Sequence, residues 1–387
     1  MAARIPFNKP YLAGNELQYI AQAISGRSIA ADGPFTKRCS QLFEREFGIS
    51  RVLMTPSCTA ALEMAAMLCD LAAGDEVILP SYTFVSTANA VVRLGAKPVF
   101  VDIRSDTLNL NEELIESAIT SRTKAIFPVH YAGVSCEMNR IMEIAARNNL
   151  FVVEDAAQGV NASYEGKPLG SIGHLAAYSF HETKNYICGE GGALCVNEPE
   201  FIERAEIIRE KGTNRSRFLR GMVDKYTWVD VGSSYVPSEI SCAFLYAQLE
   251  LLEWIAERRR NIYHFYLDQL APLESCGLLR LPKIPPNCKS NYHMFFVLLP
   301  DMDTRDALIA NLKEVGITAP FHYVPLHSSP VGLTFGCRAG DLPVTEDLTG
   351  RLVRLPFYCE ISEQEQMEVV RKINAFAAKS YGRRRAA

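Results

Sequence analysis

The sequence predicts an α/β protein, with a mostly parallel sheet in a large unit and a smaller α+β unit at the C-terminal end. Three observations carry this. Short β-branched runs alternate with helical patterns through the first part of the chain, as in successive βαβ units. The runs are apolar throughout rather than alternating with polar residues, as strands covered on both faces are. At 387 residues the chain is too long for one small core, so two units are expected, divided as residues 1–250 and 251–387.

In chain order, apolar residues recur at helical spacing over 16–24 and 36–47, separated by the turn-prone Ala31-Asp32-Gly33-Pro34. Strands are then expected at 52–54, 76–79, 98–103, 124–129 and 151–153. Helices at 60–71, 85–94, 112–119 and 138–148 separate and follow them. Two more apolar runs, 175–180 and 193–196, flank a glycine-rich turn. Next come a helix at 200–211, an irregular polar stretch at 212–230 and one long helical pattern from 238 to about 270. The remainder reads as a strand at 295–299, a helix at 304–315 and a last helix at 362–377.

Composition narrows the class. Hydrophobic residues at 48% and charged residues at 22% describe an ordinary globular protein. A net charge of −4 does not fit a nucleic-acid binder, which carries a basic patch. Arg258-Arg259-Arg260 reads as a solvated helix face and Gly382-Arg383-Arg384-Arg385 as a frayed tail. The 11 cysteines include no C-x-x-C pair and read as reduced, mostly buried thiols. MAARIPFNKP has no apolar core of signal-peptide length and no run approaches a membrane span, so a cytoplasmic protein is expected.

In parallel α/β sheets ligands gather at the carboxyl ends of the strands. Four features fall there. Lys184 lies between two apolar runs in SFHETKNYICGEGGALCVN, beside Gly189-Glu190-Gly191-Gly192. The strand at 151–153 ends in Glu154-Asp155-Ala156-Ala157-Gln158. The first strand ends in Thr55-Pro56-Ser57-Cys58-Thr59 just before a helix, where hydroxyls and free N–H groups make a phosphate site. The second leads into Pro80-Ser81-Tyr82-Thr83-Phe84, which puts an aromatic at the same edge. Singly, each has an ordinary explanation as a loop lysine, a cap or a core aromatic. Together they meet the needs of pyridoxal 5′-phosphate: a lysine for its aldehyde, a carboxylate for its pyridine nitrogen and a donor cradle for its phosphate. Other motifs fail. No G-x-G-x-x-G follows the first strand, and Gly166-Lys167 has Asn161 where a P-loop needs glycine. His181-Glu182 lacks a second zinc-binding histidine because residue 185 is Asn, so no metal is expected.

With these residues in view, the chain resembles the DegT/StrS family of PLP-dependent nucleotide-sugar aminotransferases, which have an aspartate-aminotransferase-like fold. The matching runs extend from IPFN (5–8) through PSYTFVSTANA (80–90), PVHYAG (128–133), VVEDAAQGV (152–160), SFHETKN (179–185) and REKGTNRS (209–216) to FHYVPLH (321–327). The resemblance implies that Lys184 is the Schiff-base lysine, Asp155 the partner of the pyridine nitrogen and Gln158 a neighbour of the phenolic oxygen. Cys58, Thr59 and Ser179 match phosphate contacts and Phe84 the ring-stacking aromatic. Many relatives have Gly at the position of Cys58. Many also have Asn, reaching the phosphate of the neighbouring subunit, where this chain has Ser234. Tyr323 and His327 are candidates for the sugar or its diphosphate. A lysine rather than the histidine of related dehydratases favours transamination.

The implied reaction moves an amino group from L-glutamate to C4 of a dTDP-4-keto-6-deoxyhexose, and the implied assembly is a homodimer with shared sites. The alternatives are amination at C3, another nucleotide sugar, or a PLP-binding regulator without turnover.

Overall fold

The computed structural model describes residues 4–27 and 29–384, with side chains to 379. Met1–Ala3 of the N-terminal stretch and Arg385 of the basic tail lie outside the described residues. The main sheet has seven strands: β1 (Arg51–Thr55), β2 (Glu76–Pro80), β3 (Lys97–Val101), β4 (Thr123–Ile126), β5 (Phe151–Asp155), β8 (Leu175–Ser179) and β9 (Gly192–Val196). Between β5 and β8 the chain forms a small hairpin of β6 (Ser163–Tyr164) and β7 (Lys167–Pro168), which β10 (Cys288–Lys289) extends.

The sheet order is β1-β9-β8-β5-β4-β2-β3. β9 is antiparallel to both its neighbours and the other pairs are parallel, so every strand but β9 runs the same way. The carboxyl ends of β1, β2, β5 and β8 therefore share one edge, where β9 begins. Successive strand residues serve opposite faces. Val52 and Met54 pack with Phe35, Cys39 and Phe43 of the helix Pro34–Phe47. Leu53 packs on the other face with Ala61, Met64 and Ala65 of the helix Cys58–Leu68. The fully apolar strand pattern follows from this double cover.

The second unit has its own core. β11 (Phe296–Leu298) and β12 (Leu352–Arg354) pair antiparallel beneath the helices Leu252–Ser275, Met302–Glu314 and Glu363–Arg384. Ile5 packs in this core and bridges to Ile317. The last helix runs to Arg384, so Gly382 to Arg384 continue it rather than forming a separate tail.

Two expectations need correction. The pattern from 238 to 270 is not one helix but two, Glu239–Leu249 and Leu252–Ser275, broken at Leu251 with φ −108° and ψ 22°. Cys242, Leu245 and Leu249 belong to the first core, whereas Ile262, Tyr263, Tyr266 and Leu270 belong to the second. One straight helix cannot turn its apolar face toward both. The stretch 212–230 contains the short helix Arg215–Leu219, and it exposes Leu219, Met222, Tyr226, Trp228 and Val229, with Trp228 75% exposed. It is polar in composition, with Arg215, Arg220, Asp224 and Lys225 exposed, but it carries these exposed apolar side chains as well.

Candidate active site

A cavity of about 760 Å³ opens at the shared strand edge. Cys58, Thr59, Phe84, Asp155, Gln158, Ser179, Lys184 and Tyr323 all line it.

Lys184 sits in an excursion between β8 and β9 closed by backbone bonds: Phe180 N to Gly191 O at 2.8 Å, Cys188 N to Phe180 O at 2.8 Å and Lys184 N to His181 O at 2.9 Å. The side chain is partly buried and has no acid within ion-pair distance among the described residues. Burial pushes its pKa down, against the opposing pull of Cys58 and Asp155.

Asp155, the last residue of β5, is buried and held at both oxygens. Thr87 Oγ1 donates to Oδ2 at 2.6 Å and Ala157 N donates to Oδ1 at 3.1 Å. Gln158 accepts from Ala132 N at 2.7 Å and donates to the Tyr323 hydroxyl at 3.2 Å. Tyr323 holds a positive φ of 47° and stacks on His322 with ring centroids 3.6 Å apart. A bulky residue in the left-handed region is uncommon and needs such fixing on both sides. Phe84 is 57% exposed at the N-cap of the helix Val85–Val92.

At the other side Ser57 caps the helix Cys58–Leu68, its Oγ accepting from Ala60 N at 3.1 Å. Thr59 Oγ1 lies 2.7 Å from Ser86 Oγ, and Ser86 and Ser179 line the same space. Gly192 is required beneath this turn, since a Cβ there would stand 2.4 Å from Cys58 N. Burial drives the Cys58 thiol pKa well up, with the Asp155 charge adding to it, so the cradle holds a neutral thiol.

Two expected residues lie elsewhere. His327 does not line the cavity. It is fully buried, with Nδ1 2.7 Å from Ser81 Oγ and Nε2 2.8 Å from Glu346 Oε1. Both ring nitrogens are engaged, which corrects its reading as a sugar or diphosphate ligand: it is a strut beneath the Ser81–Phe84 turn. Ser234 is exposed on a segment bridged to Glu210 and does not line the cavity of its own chain.

The sequence reading missed three lining residues, His293, His322 and Arg354, and misread a fourth: Arg259, taken as part of a solvated helix face, is buried and lines the cavity. Arg354 lies 4.3 Å over the Phe7 ring and donates to Phe321 O at 3.2 Å, and its Nε is buried without a partner. Arg259 donates to Tyr292 O at 3.0 Å and His293 O at 2.5 Å. The only local signal was an arginine in an otherwise apolar run, as in RLVRLPFY (351–358).

The donor set fits pyridoxal 5′-phosphate. A desolvated lysine faces a doubly hydrogen-bonded carboxylate, and hydroxyls and a capped helix N-terminus lie beside them for a phosphate. Comparison with known proteins agrees. The DegT/DnrJ/EryC1/StrS aminotransferase family model matches residues 10–374. GDP-perosamine synthase of Caulobacter vibrioides is 32% identical over 369 residues, covering 95% of this chain and 96% of its own. A DegT DnrJ EryC1 StrS aminotransferase from Brucella abortus is 30% identical with a TM-score of 0.85, covering 94% of this chain and 95% of its own. The PLP-form of the putative sugar aminotransferase Spr1654 from Streptococcus pneumoniae reaches a TM-score of 0.90 at 24% identity, covering 97% and 99%, a likeness of fold. The chain belongs to the DegT/DnrJ/EryC1/StrS aminotransferase family. It is a pyridoxal 5′-phosphate-dependent sugar aminotransferase.

Proposed function

We propose that this enzyme moves the amino group of L-glutamate to C4 of a dTDP-4-keto-6-deoxyhexose, giving the dTDP-4-amino-4,6-dideoxy sugar. The observation that carries the reading is one cavity, of about 760 Å³, in which Lys184, Asp155 and the Ser57–Thr59 turn face each other. A space of that size admits a sugar nucleotide. The choice of sugar draws on the sequence runs shared with transaminases that form dTDP-4-amino-4,6-dideoxygalactose.

When bound, pyridoxal 5′-phosphate supplies a carbonyl that takes up an amine and a ring that accepts electrons. Lys184 holds it covalently and, once released, moves a proton at Nζ to and from the substrate carbon; burial favours the neutral amine this needs. Asp155 keeps the proton on the pyridine nitrogen through a charge-assisted hydrogen bond, its carboxylate fixed by Thr87 and Ala157. Cys58, Thr59 and Ser179 receive the phosphate, and Phe84 and Gln158 flank the ring. Arg354, a cation with no acid partner among the described residues, offers charge to an anionic group of either substrate.

GDP-perosamine synthase among the relatives favours a second reading, in which the nucleotide is not dTDP. Incubation with glutamate and dTDP-4-keto-6-deoxyglucose, alongside a GDP-linked keto sugar, decides between them. NMR of the product is expected to show an amine at C4 of the dTDP sugar. Amination at C3, or of the GDP sugar alone, overturns the proposal.

A further inference from the structure

One histidine of the cavity has its tautomer set by its neighbours. Asn185, which directly follows Lys184, is buried, and its Nδ2 donates to the backbone oxygen of Asn291 at 2.9 Å. A carbonyl only accepts, so the opposite end of this amide is oxygen. That Oδ1 lies 2.9 Å from Nδ1 of His293. An amide oxygen also only accepts, so Nδ1 of His293 carries a hydrogen. Asn291 is itself locked, its Nδ2 donating to the carbonyls of Gln158 at 2.8 Å and Val160 at 2.7 Å.

His293 lines the cavity and keeps 8% of its surface exposed. Its Nε2 takes no partner among the described residues. Burial, and then the positive groups Lys184, Arg259 and Arg354, hold its pKa well below the ordinary histidine value; His322 is itself pushed well down by burial and adds no standing charge. The ring is therefore neutral, and its cavity side presents a lone pair with no proton.

A bare acceptor selects a donor. Keto, carboxylate and phosphate oxygens have no hydrogen to give, and an ammonium is repelled by the guanidinium groups of Arg259 and Arg354. Among the groups of a nucleotide keto sugar and an amino acid, the hexose hydroxyls, the deoxyribose hydroxyl and the base N–H remain. His293 is tied to Asn185, which directly follows Lys184, so the hexose hydroxyls nearest the reacting carbon are the donors at hand. We propose that Nε2 of His293 accepts a hydrogen bond from a hydroxyl of the sugar substrate, making His293 a specificity-determining residue for the sugar. This rests on the reading of the cavity as a sugar-nucleotide site.

Two measurements test it. The first is ¹⁵N NMR of the cofactor-loaded protein labelled at histidine, with the His293 signals identified by their loss in His293→Phe. A neutral ring with hydrogen on Nδ1 and a bare Nε2, unchanged between pH 7 and 6, is expected; a protonated ring or hydrogen on Nε2 overturns the assignment. The second compares kcat/KM for the keto sugar and its 2-deoxy and 3-deoxy analogues. In the wild type one analogue is expected to lose roughly tenfold, the worth of one hydrogen bond. In His293→Phe that loss disappears, and in His293→Gln, whose amide oxygen also accepts, it returns in part. No loss with either analogue in the wild type, or an equal loss in His293→Phe, overturns the proposal. If no keto sugar is turned over, the functional reading and this assignment fall together; a wrong tautomer with turnover intact overturns this assignment alone.

Discussion

Lys184 and Asp155 work as a pair whose electrostatics have a definite sign. Burial lowers the lysine pKa and the Asp155 carboxylate raises it, so the neutral amine forms at a lower pH than in an ordinary lysine, near 10.4. Replacing Asp155 by Asn removes the charge that steadies the ammonium and is expected to move the midpoint lower still. The pH dependence of cofactor uptake by the apo chain, followed by absorbance, measures this, and an unchanged or raised midpoint contradicts it. In turnover, Asp155→Asn is expected to reduce kcat roughly 10²–10⁴-fold with the cofactor still bound. Thr87→Val, which removes the 2.6 Å hydrogen bond to Oδ2, is expected to reduce it roughly tenfold or more. Full activity in either variant means that the carboxylate is only a loop cap. Borohydride is expected to fix the cofactor's mass to the wild-type chain and not to Lys184→Ala, so equal labelling of both by mass spectrometry places the attachment elsewhere.

The turn between β1 and the helix Cys58–Leu68 depends on β9 starting with a glycine. With Cys58 N 2.4 Å from the position of an added Cβ, Gly192→Ala pushes backbone against backbone. A loss of about 1–3 kcal/mol in denaturant unfolding is expected, with weaker cofactor retention because the cradle moves. Normal retention in Gly192→Ala shows that the turn does not hold the phosphate. The strand-end residues were legible at this scale because in a parallel sheet the chain leaves each strand at the same edge. The direction of His327 was not, since FHYVPLH (321–327) does not tell which of its two histidines faces the cavity. The fold turns His322 inward and His327 toward Ser81 and Glu346.

Across the whole molecule, the exposed Leu219, Met222, Tyr226, Trp228, Val229 and Val231 form a surface whose proposed occupant is a second copy of this chain. Apolar groups gathered on one segment mark an interaction site, and two-fold dimers are the commonest closed assembly. Ser234 lies on the continuation of that segment, exposed and away from its own cavity, as a residue serving the partner's phosphate needs to be. Sedimentation is expected to give a dimer at assay concentration. Ser234→Ala is expected to weaken cofactor binding, and mixing inactive Lys184→Ala subunits with an inactive Ser234 variant to restore part of the activity in heterodimers. A competent monomer rules the shared site out.

From the sequence alone came the covered parallel sheet, the order along the chain of its seven strands and the helices between them, and the placing of Lys184 and Asp155 at the strand edge; the small β6–β7 hairpin was not read. Each depends on local pattern and on the rule that strand ends converge, and neither needs distant packing to be read. The break at Leu251, the inward turn of Arg259, His293, His322 and Arg354, and the burial of His327 were decided by tertiary structure. In each case the second core and the segments packed on it choose which side chain meets the cavity. Tyr323 shows the reason: its hydroxyl accepts from Gln158, 165 residues earlier in the chain, and no local spacing encodes such a contact.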